Sequence, residues 1–497
     1  MEKSKSVQVE IKLLEEVKKH YPSNEAKKIR QAIELAKHAH KDTLRQSGAP
    51  YIIHPLSVAN KLIDIHLDWQ TIIAAVLHDT VEDTHVTLAE IKKLFGTDIA
   101  NLVESVTKLS NIRIKKSWFP LLKGEKVQIP EYDRQVETLR KMLIAMSRDV
   151  RVIFIKLADK LHNLETLDAL PQDKKERIAK EAIEIFAPIA GRLGMGEWRG
   201  NIEDLAFPYI HKEAYKNLMS LAIPEIKERE KYLTKITKQL KLLLKENKIH
   251  GRINFRAKKW YSLYRKLLKY DNDLSKIYDL IAVRIIVDTV EDCYAALGII
   301  HSVWKPLLGR IKDYIAIPKP NGYQSIHTTV FADKGQIVEF QIRTEEMHQQ
   351  AEFGIASHWI YSKKKKSEGP SKGDLKWIND FYKMQKKISS PEELVNSLRM
   401  DLFGDRIFVF TPAGDVKDLP YGATPVDFAY HVHTDLGNKC GGAKINGKIA
   451  PLNTLLQNGD IIEIIKKKNT KPHADWLEYA KTDIAKSQIK KFTGKKL

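Results

Sequence analysis

Cysteine is almost absent from this chain of 497 residues, which contains only Cys293 and Cys440. The two lie far apart and form no CxxC pair, which argues against a disulfide framework and against a zinc site built on cysteines. The first twenty residues lack the apolar centre of a signal peptide, and no run of about 18 apolar residues occurs anywhere. These absences predict a cytoplasmic protein without a transmembrane span.

Acidic residues are clearly outnumbered by basic ones. The chain has 83 Lys and Arg against 63 Asp and Glu, a formal charge of +20 and a pI near 9.4. Such an excess favours anionic partners such as nucleotides, RNA or a membrane surface, although a solvated basic surface would give the same count. The length itself predicts roughly three or four domains.

Proline and glycine are sparse in residues 1–200, where apolar residues recur at spacings of three and four, as expected for helices. Helical patterning continues through 201–250. Beyond about 252, stretches such as IAVRIIV (281–287) and IVEFQIR (337–343) predict strands of a mixed sheet with helices between them. The predicted fold is therefore multidomain α+β. Its predicted parts are an all-helical domain at 1–200, a mixed α/β domain at 201–360, a linker at 361–400, a small β-rich module at 401–466, and a basic helical tail at 467–497.

Four titratable residues crowd one predicted helix end in TIIAAVLHDTVEDT (71–84): His78, Asp79, Glu82 and Asp83. Residues four apart share a helix face, so Glu82 follows His78 by one turn and Asp83 follows Asp79. Without a cation, three carboxylates so close together would repel one another. The segment therefore indicates a cation site, although a His-Asp pair taken alone is also compatible with a surface ion pair.

Two further residues complete a plausible donor set for a metal ion. His54 precedes a proline that begins a predicted helix, and Asp159 lies on another predicted helix, 152–167. With His78 and Asp79 they offer two imidazoles and two carboxylates, which suits Mn, Fe or Zn and leaves room for a water molecule. Glu82 and Asp83 then remain to orient or deprotonate that water. This ordered set on separate helices matches the pattern of HD-superfamily phosphohydrolases.

A second constellation lies between 252 and 343, where cations and aromatic residues alternate with two acidic residues, Asp279 and Glu339. Asp279 comes just before a predicted strand and Glu339 lies on another. Either could hold Mg²⁺ or act as a base, while the surrounding cations would neutralise polyphosphates. A basic RNA-binding face explains the composition equally well.

Several longer segments resemble the RelA/SpoT family, over nearly the whole chain. HDTVEDT (78–84) and KLADKLHNLETL (156–167) resemble its hydrolase domain, and GRIKDYIAIPKPNGYQSIHTTV (309–330) resembles its synthetase domain. FGDRIFVFTPAGDVKDLPYGATPVDFAYHVHTDLGNKCGGAKINGKIAPL (403–452) resembles its TGS domain. The resemblance implies an HD-type hydrolase, a nucleotidyltransferase-like synthetase and a β-grasp-like TGS domain, in the order of the long bifunctional members, and a form lacking their C-terminal ACT region.

The resemblance also implies a pair of opposed reactions. The synthetase would transfer pyrophosphate from ATP to the 3′-hydroxyl of GDP or GTP, and the hydrolase would remove it from (p)ppGpp. Manganese would be held by His54, His78, Asp79 and Asp159, with Glu82 and Asp83 handling water. Magnesium would bind Asp279, and Glu339 would act as the base. The implied nucleotide contacts are Arg45, Ser47, Asn163 and Thr166 in the hydrolase, and Arg256, Lys258, Ser262, Lys266, Arg310, Lys312, Lys319, Asn321, Tyr323 and His327 in the synthetase.

Some positions depart from the family pattern. Glu165 stands where many members have arginine, and Gln46 replaces a common lysine, which bears on the hydrolase pocket. Ala257, Lys259 and Trp260 interrupt a familiar run beside the ATP site. A hydrolase-dominant enzyme with a weakened synthetase is therefore one alternative, and a regulator that acts mainly through the ribosome or tRNA is another.

His431 and His433 are the last candidates, in the segment AYHVHTD. As alternate residues they would share one face of a strand. They are compatible with ordinary surface histidines, but the family resemblance implies contact with uncharged tRNA on the ribosome, through stacking on an exposed base.

Overall fold

The computed structural model describes residues 2–110, 141–357 and 406–494, apart from positions 143, 147, 320, 333, 334, 458, 468 and 469. The chain divides into two compact units, Met1–Lys387 and Ile388–Leu497. The predicted linker, including Lys363–Lys366, lies outside the described residues, as do Lys468, Lys495 and Lys496 of the predicted basic tail.

The first part of the larger unit is helical, as the apolar spacing predicts. Its helices pack around buried aliphatic side chains, and Trp69–Leu77 is so enclosed that every residue from Thr71 to Leu77 is buried. Asp68 caps that helix by accepting a hydrogen bond from the Thr71 amide at 2.9 Å. The helices of this part are Glu2–His20, Ser23–Ala39, Ile53–Asp64, Trp69–Leu77, Thr80–Asp83, Leu88–Phe95, Thr97–Ser110, Arg151–Glu165, Gln172–Glu181, a π-turn at Ala182–Phe186, and Ala187–Arg192.

Two helices connect this part to the sheet. Gly196–Ile210 and Lys212–Glu246 are separated by a break at His211. Gly354 approaches the end of the preceding helical part so closely that an added Cβ would lie 2.0 Å from the Leu193 carbonyl oxygen, and its φ is +55°. Only glycine fits both the space and the backbone conformation there.

The sheet of the larger unit has six strands: β1 Gly251–Ala257, β2 Ile281–Val287, β3 Lys305–Pro306, β4 Lys312–Asp313, β5 Ile326–Phe331 and β6 Ile337–Thr344. Their order is β1-β2-β6-β5-β3, with β4 beside β5. Because β2 and β6 are parallel and the other pairs antiparallel, the predicted mixed sheet is confirmed. The helices of this region are Trp260–Leu267, Val290–Val303 and Glu345–Phe353.

Strand register separates the two faces of this sheet. Phe340 of β6 pairs with Val283 and Thr328, and this face carries the buried apolar core. Gln341, the next residue of β6, pairs with Arg284 of β2 and His327 of β5 on the opposite face. Alternation along the strands therefore places an apolar face on the core and a polar, cation-rich face on the other side.

The smaller unit is a set of short strands with four helices in its described part. The strands are β7 Arg406–Phe410, β8 Val416–Pro420, β9 Cys440–Ile445, β10 Lys448–Ala450 and β11 Ile462–Lys466, and the helices are Pro425–Val432, Thr434–Asn438, Trp476–Tyr479 and Asp483–Thr493. The helix predicted in the basic tail is present, and its Ala485 and Ile489 pack against Val426 and Ala429.

The strand predicted for AYHVHTD is wrong. His431 lies in the helix Pro425–Val432, and His433 is the extended residue that begins the next helix. A helix forms here instead of a strand because Thr424 and Asp427 form a capping box around Pro425, which fixes the first turn. Both histidines remain exposed, but they do not share the face of a strand.

None of the helices in the described parts of the chain combines the length and the apolar character that crossing a membrane requires.

Candidate active sites

Three helices of the larger unit bring a cluster of metal-binding side chains together. His54 lies in the first turn of the helix Ile53–Asp64, His78 follows the buried helix Trp69–Leu77, and Asp159 lies within Arg151–Glu165. One potential ligand atom from each lies within 4.8 Å of the others, and all three residues are buried. Asp79 adds two oxygens, 3.5 Å from His54 Nε2 and 3.1 Å from His78 Nε2. The structure thus assembles the four residues predicted from sequence as metal ligands.

His78 presents an unsatisfied lone pair to this cluster. Its Nδ1 lies 2.8 Å from the Ala75 carbonyl oxygen, which can only accept, so Nδ1 carries the proton. Nε2 is then an acceptor, and this buried atom has no hydrogen-bond partner among the described residues. A divalent cation would satisfy that lone pair together with the nearby carboxylates, so the donor set fits a first-row divalent metal.

Neighbouring groups and burial shift the pKa values of the residues in this cluster. Burial alone would raise the pKa of Asp159, but the opposing interactions, of which the one with Lys156 at 2.9 Å is the largest, hold the pKa well below its usual range. Burial opposes ionisation of Asp79 as well, yet the neighbouring basic groups lower its pKa. Burial lowers the pKa of His54, which favours its neutral form. The directions of these shifts favour ionised carboxylates and a neutral imidazole, the forms in which both residue types bind a metal.

Glu82 and Asp83 lie at the mouth of the cluster and are exposed. Partial burial, with Asp83 and Asp79 nearby, raises the pKa of Glu82. Tyr51, which the sequence reasoning missed, places its hydroxyl 2.8 Å from an Asp79 oxygen and 2.9 Å from an Asp83 oxygen. Tyr51 thus joins a predicted metal ligand to a predicted water-handling residue.

Three of the predicted nucleotide contacts bond to one another. The Arg45 guanidinium donates to Asn163 Oδ1 at 2.7 Å and to Thr166 Oγ1 at 3.2 Å. Ser47 lies in the same exposed turn as Arg45, where its hydroxyl is 3.4 Å from the Ala49 amide. Glu165, the reversed charge, turns away from them and pairs with Lys61 at 2.6 Å.

The second predicted site lies on the polar face of the mixed sheet. Asp279, just before β2, is bracketed by Lys258 and by Lys266, whose amino group is 2.6 Å away. Burial would raise the pKa of Asp279, but the two lysines outweigh it and lower the pKa. Ser262 lies one helical turn before Lys266 and is half-buried.

Glu339 lies on β6 between two hydrogen-bonding neighbours. Gln341 donates to it at 3.0 Å and His327 Nδ1 lies 3.4 Å away, and together they lower its pKa although burial opposes them. Gln341, missed from sequence, also accepts from Arg256 at 3.3 Å. An ionised carboxylate on this face is available to accept a proton.

The remaining predicted contacts surround Tyr323. Its hydroxyl lies 2.8 Å from His327 Nε2, and Lys319 Nζ lies 4.9 Å from the centre of its ring. Burial, with Lys312 and Arg256 nearby, lowers the pKa of Lys319 to about 8. Asn321 accepts from the Tyr323 amide at 3.3 Å. Lys312 pairs with His327 across β4 and β5, whereas the exposed Arg310 lies over the Tyr278 ring at 6.0 Å.

The half-buried Arg284 and the buried Arg343 extend this cationic face. Arg284 and Arg343 share one carboxylate oxygen of Glu352, at 3.1 and 3.2 Å, and Arg343 is only 1% exposed. Burial lowers the pKa of Arg284 to about 10, with Arg343 adding to the effect. Neither arginine was among the contacts predicted from sequence.

The departure at 257–260 receives a structural explanation. Lys259 does not face the Asp279 site, because its amino group bonds Glu197 at 2.6 Å and Asn201 at 2.7 Å on the helix Gly196–Ile210. The Tyr261 amide donates to Asp204 on the same helix at 2.9 Å. These residues anchor the turn after β1 rather than the face that carries Asp279.

Three regions of the chain match known domain families in succession. The HD domain matches residues 32–196, the region found in RelA/SpoT proteins matches 255–366, and the TGS domain matches 407–466. The chain belongs to the RelA/SpoT family. The Asp159 cluster lies within the first match and Glu339 within the second.

Relatives in this family align over nearly all of the chain. It is 45% identical over 484 residues to a guanosine-3′,5′-bis(diphosphate) 3′-pyrophosphohydrolase of Aquifex aeolicus, covering 97% of this chain and 66% of that protein. It is 42% identical to a GTP pyrophosphokinase of Myxococcus xanthus, covering 96% of this chain and 61% of that protein. It is 41% identical to the bifunctional (p)ppGpp synthase/hydrolase RelA of Mycobacterium tuberculosis, with coverage of 96% and 63%. The chain thus spans about three fifths to two thirds of the length of these RelA/SpoT relatives.

Proposed function

We propose that this chain is a bifunctional enzyme of (p)ppGpp metabolism in the stringent response. One site hydrolyses the 3′-pyrophosphate of ppGpp or pppGpp, giving GDP or GTP and pyrophosphate. The other transfers pyrophosphate from ATP to the 3′-hydroxyl of GDP or GTP, giving ppGpp or pppGpp and AMP. The names of the three relatives cover both activities.

The observation that carries the proposal is the presence of two unlike sites in one compact unit. One is a buried cluster of imidazoles and carboxylates, suited to a metal-assisted hydrolysis. The other is a cation-rich sheet face with two ionised carboxylates, Asp279 and Glu339, suited to phosphoryl-type transfer. A single-activity enzyme would need only one of them.

At the hydrolase site, His54, His78, Asp79 and Asp159 would hold Mn²⁺. The metal would lower the pKa of a bound water and so supply a nucleophile at neutral pH. The raised pKa of Glu82 suits it to take a proton from that water. Asp83, which is hydrogen-bonded to Tyr51, would orient the water. Arg45, Ser47, Asn163 and Thr166 would contact the nucleotide.

At the synthetase site, Asp279 would hold Mg²⁺. Glu339 would accept the proton of the attacking 3′-hydroxyl, while Lys258, Ser262 and Lys266 hold the ATP phosphates and Arg256 packs on adenine. Tyr323 would stack on guanine. Lys319 is poised for an anion, since a nearby phosphate would stabilise its charged form. The phosphate and nucleoside contacts would be completed by Arg310, Lys312, Asn321 and His327.

A hydrolase-dominant enzyme is less well supported. That alternative depended on the departures at Ala257, Lys259 and Trp260. Lys259 is engaged with Glu197 and Asn201, so its identity does not weaken the cationic face around Asp279. Asp279 and Glu339 both keep the local partners that ionise them.

Two assays on one purified preparation test the proposal. With ATP, GDP and Mg²⁺ the chain is expected to form ppGpp and AMP. With ppGpp and Mn²⁺ it is expected to release pyrophosphate and GDP. Hydrolysis without synthesis would support the hydrolase-dominant alternative. The absence of both activities would contradict the proposal.

For the TGS domain we propose contact with uncharged tRNA on the ribosome. His431 and His433 are exposed at the junction of two short helices. Lys466, Lys490 and Lys491 would add salt-dependent attraction to phosphate.

Replacing His433 by alanine is expected to weaken stimulation of synthesis by ribosomes carrying deacylated tRNA, without changing basal synthesis or hydrolysis. His433 also caps a helix, because its Nδ1 accepts from the Asp435 amide at 3.2 Å. His433→Asn is therefore the matched variant, since asparagine keeps the cap and removes the ring. Loss of stimulation in both variants supports base stacking. Loss in the alanine variant alone would assign the effect to the cap, and a wild type without any stimulation would contradict the ribosome link.

A further inference from the structure

Arg45 stands at the head of two hydrogen-bond relays that end on different proposed metal ligands. A guanidinium carries only donors, so every atom that it bonds must be accepting. Its Nη2 is 2.7 Å from Asn163 Oδ1, and its Nη1 is 3.3 Å from His162 Nδ1. Arg45 is therefore the donor, and Asn163 Oδ1 and His162 Nδ1 are the acceptors, in the first hydrogen bond of each relay.

The first relay runs through His162 to His54. Because Arg45 donates to His162 Nδ1, that nitrogen carries a lone pair and no proton. The same nitrogen lies 2.8 Å from His54 Nδ1, so His54 is the donor of that contact, and the single lone pair of His162 Nδ1 is shared between the Arg45 and His54 protons. A neutral His54 with its proton on Nδ1 keeps an unprotonated Nε2, and Nε2 is the atom that faces Asp79 and Asp159.

The second relay runs through Asn163 to Asp159. Since the Asn163 oxygen accepts from Arg45, its amide nitrogen must point the other way. That nitrogen donates to Asp159 Oδ1 at 2.6 Å. Asp159 thus has one oxygen fixed by Asn163 and the other by Lys156.

The two histidines of the cluster reach the same tautomer by different means. His78 donates its Nδ1 proton to a backbone carbonyl, that of Ala75, which no side-chain substitution removes. His54 donates its proton to a side chain, His162, whose acceptor role depends on Arg45. The tautomer of His54 is therefore sensitive to substitutions at Arg45 and His162, and that of His78 is not.

We propose that Arg45 and His162 are positioning residues of the metal site, which set the tautomer of His54 and the orientation of Asp159 before any nucleotide binds. The inference rests on the proposed hydrolase function and adds to it, because Arg45 is otherwise assigned only to nucleotide contact. Partners of this kind typically change metal affinity by about 10–100-fold when removed.

Mn²⁺ binding to the full chain, followed by electron paramagnetic resonance without nucleotide, separates the two roles. Arg45→Met keeps the aliphatic stem and removes the donors, and it is expected to weaken Mn²⁺ binding by about 10–100-fold. Lys41→Met, which removes an exposed cation four residues earlier and outside both relays, is the matched control and is expected to bind Mn²⁺ as the wild type does. Circular dichroism of each variant verifies that it is folded.

A pair of substitutions at His162 tests the relay itself. Asparagine places a carbonyl oxygen near the position of Nδ1 and so still accepts from His54, whereas leucine does not. His162→Asn is expected to retain Mn²⁺ affinity within about threefold, and His162→Leu to lose about 10–100-fold. Equal affinity of the two would overturn the relay through His162.

The possible outcomes distinguish this inference from the proposed function. Unchanged Mn²⁺ affinity in Arg45→Met, with a raised KM for ppGpp, would overturn the positioning role and leave the hydrolase proposal intact. A wild type that binds no Mn²⁺ would overturn both. If a His162 variant fails to fold, Arg45→Met decides alone.

Discussion

The Glu339→Gln enzyme is expected to lose pyrophosphate transfer from ATP, by at least about 100-fold in kcat, while its hydrolysis of ppGpp persists. Glutamine keeps the size of the side chain and its ability to accept from Gln341, but it cannot take the proton of the 3′-hydroxyl. The rate of AMP formation with ATP and GDP measures the loss.

The exposed Glu346 offers a matched control for this substitution. Glu346→Gln makes the same chemical change on the neighbouring helix Glu345–Phe353, at a residue outside both proposed sites, and is expected to leave both rates unchanged. Loss of both activities in a folded Glu339→Gln enzyme would show that the two sites are not separable.

Removal of Asp79 is expected to abolish metal binding and hydrolysis together. Its carboxylate lies beside Nε2 of both histidines, so Asp79→Ala deletes a proposed ligand from the centre of the cluster. The Mn²⁺ content after dialysis and the rate of pyrophosphate release from ppGpp measure the two losses. Synthesis should continue, because the polar face of the sheet draws no residue from this cluster.

Glu82→Gln is the companion variant. Glu82 is exposed at the mouth of the cluster, so its loss should leave the metal bound and slow turnover by about 100-fold or more if it serves as the base. Full activity of the folded Glu82→Gln enzyme would exclude that role. Loss of metal would instead make Glu82 part of the ligand set.

Hydrophobic patterning predicted the helical first part and the long buried strands β2 and β6 of the mixed sheet. It missed β1, RINFRA, because that strand lies at the sheet edge with mostly exposed side chains and carries no continuous apolar run. It misread AYHVHTD, where alternation outweighed a capping signal that was present in the sequence. The motif T-P-V-D at 424–427 is typical of a helix start.

The residues of both sites were predicted from sequence, but their supporting partners were not. His162 had one available signal, since it lies three residues after Asp159 on the same helix. Tyr51 and Gln341 had none, because their roles arise from contacts between elements distant in the chain. Sequence patterns therefore predict the candidate catalytic and metal-binding groups, while tertiary packing determines which side chains contact them.

One labelling experiment tests most directly whether a single chain carries both activities. The chain is incubated with GDP and ATP labelled at the γ-phosphate until the label enters ppGpp, ATP is then exhausted enzymatically, and Mn²⁺ is added. Wild type is predicted to release the label as pyrophosphate, whereas Asp79→Ala should form labelled ppGpp and retain it. Label that never enters ppGpp, or that leaves equally fast from Asp79→Ala, would contradict the account.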